Sequence, residues 1–188
     1  VYRVTAGDAV STEFQLTVIP TPTIVVQQVE YEYPRYTGLP PRVITDRPDI
    51  SAIEGTRVTI HGRANQPIRS ASLDLYSSED GRPFSRGMDI DELDTRGTLL
   101  LELNEDRHTQ RFRGYELVFV NQQGITNESP IRHRIEITRD LPPEIELLAP
   151  LVPEVEVPLD GSLPVEVRAI DPDFGLARVL VKDDRQLI

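Results

Sequence analysis

The chain has 188 residues, room for one large domain or two small ones. Apolar residues make up 38%, and 31 acidic against 20 basic residues leave a net charge of -11. That charge repels nucleic acid and an anionic membrane surface. The absence of cysteine removes disulfides and thiolate-bound metals, and no apolar run approaches the ~20 residues of a spanning helix.

Sixteen prolines and eleven glycines interrupt the sequence every few residues. Stretches of ~10 residues with a 3.6-residue apolar period are hard to find, so the chain reads as nearly all β. It opens on Val1 in mid-pattern, with no initiating methionine, and is expected to be a piece of something longer.

Tyr2, Val4 and Ala6 alternate up to a Gly7-Asp8 turn signal, and Phe14, Leu16 and Val18 alternate after it, a hairpin pattern. Ile19-Pro20-Thr21-Pro22-Thr23 suits a stiff linker. Ile24 to Tyr33 reads as a strand whose apolar parity changes midway. A change of that kind predicts a bulge or a strand that moves between sheets. Pro34 to Pro41 reads as extended loop and Arg42 to Ile53 as a weak strand or edge segment.

The clearest pattern lies between Glu54 and Tyr76. Val58, Ile60, Gly62 and Ala64 share one face, with Arg57, Thr59, His61 and Arg63 on the other. After Asn65-Gln66-Pro67, Ala71, Leu73 and Leu75 alternate with Ser70, Ser72, Asp74 and Tyr76. Alternation of this kind marks strands with one buried and one wet face.

Residues 77 to 97 read as a polar, turn-rich insertion, with a turn signal at Asp80-Gly81 and an acidic loop from Asp89 to Asp94. Leu99, Leu101 and Leu103 then alternate, and residues 104 to 111 form a charged loop. Tyr115, Leu117 and Phe119 alternate with Glu116, Val118 and Val120. Apolar residues on both parities place that strand in mid-sheet, its outer face covered in part by the 77–97 insertion. Asn121 to Gly124 turns the chain, Ile131, His133, Ile135 and Ile137 form the next strand, and Asp140-Leu141-Pro142-Pro143 is a second proline linker before a new strand at Glu144.

The patterns recur. Tyr2-x-Val4-x-Ala6 corresponds to Tyr115-x-Leu117-x-Phe119, and Phe14-x-Leu16-x-Val18 to His133-x-Ile135-x-Ile137. The 54–76 stretch corresponds to 160–181: Gly55 to Gly161, Val58, Ile60 and Gly62 to Val165, Val167 and Ala169, and Ala71, Leu73 and Leu75 to Ala177, Val179 and Val181. The loop Asn65-Gln66-Pro67 becomes Asp171-Pro172-Asp173. A period near one sandwich domain means tandem modules.

The expected organisation is therefore all-β, with tandem immunoglobulin-like β-sandwiches, one complete and two partial. Residues 1–23 hold the last two strands of a first unit, 24–143 a complete unit, and 144–188 the first strands of a third. The central unit is close to the ~100 residues and ~7 strands of an immunoglobulin-like sandwich, and Tyr115 falls where a tyrosine corner belongs. In this alignment the paired strands of 54–76 belong to opposite sheets. An unrelated all-β barrel is the alternative.

Four segments carry a family resemblance: Tyr33-Pro34-x-Tyr36-Thr37-Gly38-Leu39-Pro40, Ile53-Glu54-Gly55-Thr56-x-Val58, Ala64-Asn65-x-Pro67-Ile68 and Ala169-x-Asp171-x-Asp173-Phe174-Gly175-Leu176. They resemble the immunoglobulin-like repeats of large, uncharacterised, membrane-anchored bacterial envelope proteins. The resemblance covers most of the chain from Tyr2 to Val181. It implies an extracytoplasmic location, in the periplasm or at the cell surface, and tethering through regions absent here. It implies no direct membrane contact by this segment and supplies no catalytic residues.

The candidate chemistry is sparse. His61, His108 and His133 lack metal-ligand spacing. No serine lies in a Gly-x-Ser-x-Gly elbow, and there is no phosphate-binding glycine loop. Catalytic and cofactor-binding residues are expected to be none. Calcium is the testable addition, through Asp89, Asp91, Glu92 and Asp94 in one loop and Asp171 and Asp173 in another, with Asp140 in a linker. The plainer reading makes these solvated loop acids, with Asp171 and Asp173 fixing turns through backbone bonds. Tyr31, Tyr33 and Tyr36 form either a ligand shelf or, more commonly at period 2, packing residues. The resulting expectation is a non-catalytic spacer or scaffold in an envelope protein. The alternative is a protein- or glycan-binding adhesion module, stiffened by calcium.

Overall fold

The computed structural model describes residues 1–18, 20–77, 81–176 and 178–180. Ile19 of the first linker, Asp80 of the Asp80-Gly81 turn, and Ala177 and Val181 of the last expected strand lie outside the described residues. Those that are described form an all-β structure whose centre is a sandwich of two five-stranded sheets.

The strands, in chain order, are β1 (Thr5–Ala6), β2 (Ala9–Val10), β3 (Ile24–Glu32), β4 (Arg42–Thr45), β5 (Ile50–Ile53), β6 (Arg57–Ala64), β7 (Ile68–Tyr76), β8 (Phe84–Gly87), β9 (Asp89–Asp91), β10 (Asp94–Leu100), β11 (Gly114–Asn121), β12 (His133–Thr138), β13 (Glu144–Ala149) and β14 (Glu166–Ile170). One sheet runs β4-β3-β6-β10-β9 and the other β5-β12-β11-β7-β8. β1-β2 and β13-β14 are separate two-stranded ribbons before and after the sandwich. Strand neighbours are antiparallel except β5 and β12, which pair in parallel.

The alternation at 54–76 is expressed apart from Ala71, which is half-buried, and Tyr76, which was expected on the wet face and is buried. Val58, Ile60, Gly62 and Ala64 are buried along β6, and Leu73 and Leu75 are buried along β7. The two strands lie in opposite sheets, joined across one end by Asn65-Gln66-Pro67. The parity change in β3 is a bulge, because its register against β6 skips a residue between Val26 and Gln28. β3 nonetheless stays in one sheet throughout.

Side chains from both sheets interlock in the core, Val29, Tyr31, Val58, Ile60 and Leu99 from one and Ile50, Leu73, Leu75, Tyr115, Leu117 and Ile135 from the other. Sheet-on-sheet burial of this kind is the main stabilising term, worth roughly 25 cal/mol per Å² of apolar surface removed from water. Close approach at one point requires a glycine. A Cβ on Gly62 would sit 2.7 Å from Leu117 Cδ1 and 3.1 Å from Thr95 Cγ2.

Four local expectations are corrected. Residues 34–41 are not simply extended, since Arg35–Thr37 form a 3-10 turn closed by Thr37 Oγ1 donating to the Pro34 carbonyl at 2.8 Å. Arg42 to Ile53 is two edge strands, β4 and β5, one in each sheet. The 77–97 stretch is not a loose insertion: it supplies β8, β9 and the start of β10. Its buried positions include Thr95 and Gly97, which carry no apolar signal. Tyr115, second in β11, is fully buried, but its hydroxyl donates to the Pro48 carbonyl at 2.6 Å rather than to backbone a few residues upstream. It ties β11 to the segment before β5 and so does not form the local corner expected from its position.

Candidate functional site

Two loops hold the segments that lead into β3 and β13. After β6, Asn65 accepts the Thr23 N–H at Oδ1 (2.9 Å) and donates through Nδ2 to the Thr21 carbonyl at 2.9 Å. Beside it, Gln66 donates to the Pro20 carbonyl at 2.6 Å, and Asn121 donates to Gln66 Oε1 at 2.7 Å. Asn121 is fully buried, so the clamp is anchored in the sandwich. After β14, Asp173 Oδ2 accepts the Leu141 N–H at 2.9 Å. Asp171 Oδ1 accepts the N–H groups of Asp173 (3.0 Å) and Phe174 (2.8 Å), fixing the loop from within.

The second clamp also reaches the sandwich. Tyr36 donates to Asp140 Oδ2 at 2.8 Å, and its ring meets Phe174 edge-on at 6.0 Å. Arg107 donates to Glu54 Oε2 at 2.9 Å and to the Asp140 carbonyl at 3.4 Å. Desolvation and then the Asp140 bond push the Tyr36 hydroxyl up to about 12, so it remains a donor at neutral pH.

The calcium candidates fall in two places. Asp89 to Asp94 is a strand, turn and strand, not one loop, and Asp91 and Asp94 are directly opposed partners. Arg96 lies 3.5 Å from Asp89 and Arg63 3.2 Å from Asp94, so two of these acids already have a cation. Glu92 occupies the turn at φ 52. The Asp171 and Asp173 carboxylates are taken by backbone N–H groups as described. Among the described residues no group of three His, Cys, Asp or Glu side chains could hold a metal ion.

The three histidines are apart as well. His61 faces outward with Nε2 3.1 Å from Glu30 Oε1, close but outside hydrogen-bond geometry. His108 lies in the 104–113 loop, and the His133 ring packs on Tyr115 at 5.1 Å. Burial lowers the His133 pKa, which favours the neutral ring. Tyr31 and Tyr33 stack at 6.3 Å with Tyr31 buried in the core, while Tyr36 lies at the second clamp. No shared tyrosine shelf exists.

A feature absent from the sequence reading lies on the outer face of the second sheet. Glu116 is buried, accepting the Tyr76 hydroxyl at 2.8 Å and Arg132 Nε at 2.8 Å. The Arg132 guanidinium also sits 3.6 Å from the Tyr76 ring centroid. Within this trio Arg132, coming from the segment before β12, and Tyr76 cover Glu116 on the outer face of β11, a face expected to lie in part under residues 77–97. The Glu116 bond raises the Arg132 pKa further, and burial followed by the same carboxylate raises that of Tyr76. A charged residue between Tyr115 and Leu117 was the one visible signal.

Beside the trio opens a cleft of about 610 Å³, lined by Arg113, Arg132, Arg134, Gln110, His108 and Glu136 among others. Its size falls in the range of roughly 300–1,000 Å³ that small ligands occupy. The register Gly114↔Arg134 brings these arginines together from segments about twenty residues apart. Arg134 lies 3.3 Å from Glu136. Arg113 has no ion-pair partner among the described residues.

No protein-family model matches the chain, and no curated protein sequence matches it.

Proposed function

We propose that the chain is a spacer built of tandem immunoglobulin-like modules, with its linkers locked rather than free. One observation carries this reading: the same clamp occurs twice. In each case an Asn or Asp in the loop after one strand, β6 or β14, accepts an N–H from the linker that leads into the strand paired with it, β3 or β13: Asn65 from Thr23 and Asp173 from Leu141, both at 2.9 Å.

Two further likenesses support the division into units 1–23, 24–143 and 144–188. β13 and β14 pair antiparallel with an irregularity in the first strand, as β3 and β6 do. Tyr2 bridges Phe14 with stacked rings at 5.3 Å, as Tyr115 pairs His133 with rings at 5.1 Å. The strand order of the sandwich, with the parallel β5-β12 edge, fits the immunoglobulin-like arrangement. The family resemblance adds an extracytoplasmic setting, with anchoring through other regions. Among the described residues no helix is long and apolar enough to cross a membrane.

The test uses spin labels on Arg96→Cys and Arg168→Cys, which is clean because the chain has no other cysteine. A narrow distance distribution that broadens on Asp173→Ala is expected. A distribution already broad in the parent chain would overturn the spacer reading. A second reading, a binding module, is favoured by the basic cleft beside β12 and does not compete with the first.

A further inference from the structure

We propose that the cleft between β12 and the 104–113 loop binds a short extended peptide segment carrying one or two carboxylates, with Arg113 and Arg134 as its anion contacts. The proposal rests on the binding-module reading and names its ligand class.

Charge gives the first argument. Arg113, Arg132 and Arg134 meet in the cleft, opposed by Glu136 and, beneath, by Glu116. Among the residues that line the cleft this leaves a positive excess, with Asp49 and Asp106 set behind the walls, on a chain of net charge -11. Arg113 is exposed, unpaired among the described residues, and offers the planar fork that takes a carboxylate through two parallel bonds. The surrounding negative field rejects a long polyanion but acts weakly on one or two charges seated within the cleft, since screening limits it to about 10 Å at 0.1 M salt.

Backbone geometry gives the second. β11 begins at Gly114 opposite Arg134, and Ile135 extends the ladder by donating to the Arg113 carbonyl at 2.9 Å. The chain before Arg113 then leaves β12, because Arg111 donates instead to the Glu102 carbonyl at 3.1 Å. β12 continues to Thr138 without a β11 residue opposite, its other edge being paired with β5, and Ile135 and Glu136 of this overhang line one wall of the cleft. An exposed strand wall of this kind favours an extended peptide over a sugar, because main-chain bonding supplies affinity and side-chain contacts supply choice. Gln110 is in the opposite wall, and its Oε1 is buried without a hydrogen-bond partner. Turning that amide into the cleft would meet a peptide N–H.

The probes are the capped peptide Ac-Ala-Glu-Ala-Glu-Ala-NH2, its glutamine twin, and a glucuronate-containing disaccharide, each titrated into the isotope-labelled full chain. Saturable amide shifts at Gly114, Arg134 and Glu136 are expected with the glutamate peptide, and weaker binding as salt is raised. Arg113→Ala should weaken binding roughly tenfold, the loss of one charge-assisted contact. Arg113→Glu should abolish it, while the amide spectrum elsewhere confirms an intact fold. Equal binding of the glutamine twin would overturn the carboxylate assignment. Binding of the disaccharide without the glutamate peptide overturns the peptide class while leaving the binding-module reading in place. No saturable shift with any probe overturns both.

Discussion

The Tyr115 hydroxyl donates to the Pro48 carbonyl at 2.6 Å across 67 residues of sequence. It fastens β11, in the middle of its sheet, to the segment that leads into β5 at the edge. Tyr115→Phe keeps the buried ring and removes only this bond, at an expected cost of about 1–3 kcal/mol. Denaturant midpoints with an unchanged m-value would register it.

The same hydroxyl shapes the alkaline limb of stability. Burial is the main reason Tyr115 ionises far above the ordinary tyrosine value of 10.0. The folded chain therefore keeps a proton that the unfolded chain releases, and stability from this group is complete below that ordinary value and falls as pH rises above it. Tyr115→Phe should flatten the decline above pH ~10, measured as unfolding free energy against pH. An unchanged slope would show that Tyr115 is accessible in the folded state.

Gly62 is needed for its size. A Cβ there meets Leu117 Cδ1 at 2.7 Å, Thr95 Cγ2 at 3.1 Å and Ile24 Cδ1 at 3.3 Å, side chains on three different strands. Gly62→Ala should destabilise by about 1–3 kcal/mol through overpacking. Gly97→Ala is the contrast, because the added Cβ meets the flexible Met88 end at 2.9 Å. It should cost clearly less in the same thermal melt. Equal losses would mean that the cost comes from glycine's backbone rather than from packing.

The parts of the fold that were legible are those where burial and apolarity coincide. Val58 and Ile60 on β6 and Leu73 and Leu75 on β7 announce their buried face, and the break at Val26–Gln28 announces its bulge. β8 was hidden because Phe84–Gly87 is an exposed edge strand with no alternation. β10 was hidden at its start because Thr95 and Gly97 fill the buried positions. The loop after β6 was legible as a counterpart of Asp171-Pro172-Asp173 after β14, though not as a linker clamp. Asn65 reaches Thr23 only because β3 and β6 pair with Ile24 opposite Ala64. The cleft was illegible for a similar reason: Arg113 and Arg134 become neighbours only through the Gly114↔Arg134 register.

The Glu116 trio gives a coupling that can be measured. Arg132→Met keeps an apolar stem against Tyr76 but leaves the buried Glu116 carboxylate without its cation. A loss of about 1–3 kcal/mol is expected. In Glu116→Gln the same Arg132→Met change should cost less, because no buried charge is stranded. A double-mutant cycle in urea reads the difference, and additive losses would show that Arg132 acts by packing alone.

Asp106 controls the loop that forms one wall of the cleft. Its carboxylate accepts the Thr109 hydroxyl at 2.7 Å and the N–H groups of Thr109 and His108 at 2.9 Å each. These bonds, the Thr109 hydroxyl first, hold its pKa at about 2 against an ordinary 3.8. Because the folded value is depressed, the ordering is present above the ordinary value and is lost as pH falls towards the folded one. Carbon-detected titration should place the Asp106 carboxyl near that low value, and the Thr109 and His108 amides should exchange faster as it protonates. Asp106→Ala should speed their exchange at neutral pH and remove the acid dependence. It should also weaken peptide binding in the cleft without touching Arg113, since the wall that carries Gln110 loses its tie. An ordinary carboxyl pKa at Asp106, or amides indifferent to the substitution, would show that the loop is held by other contacts.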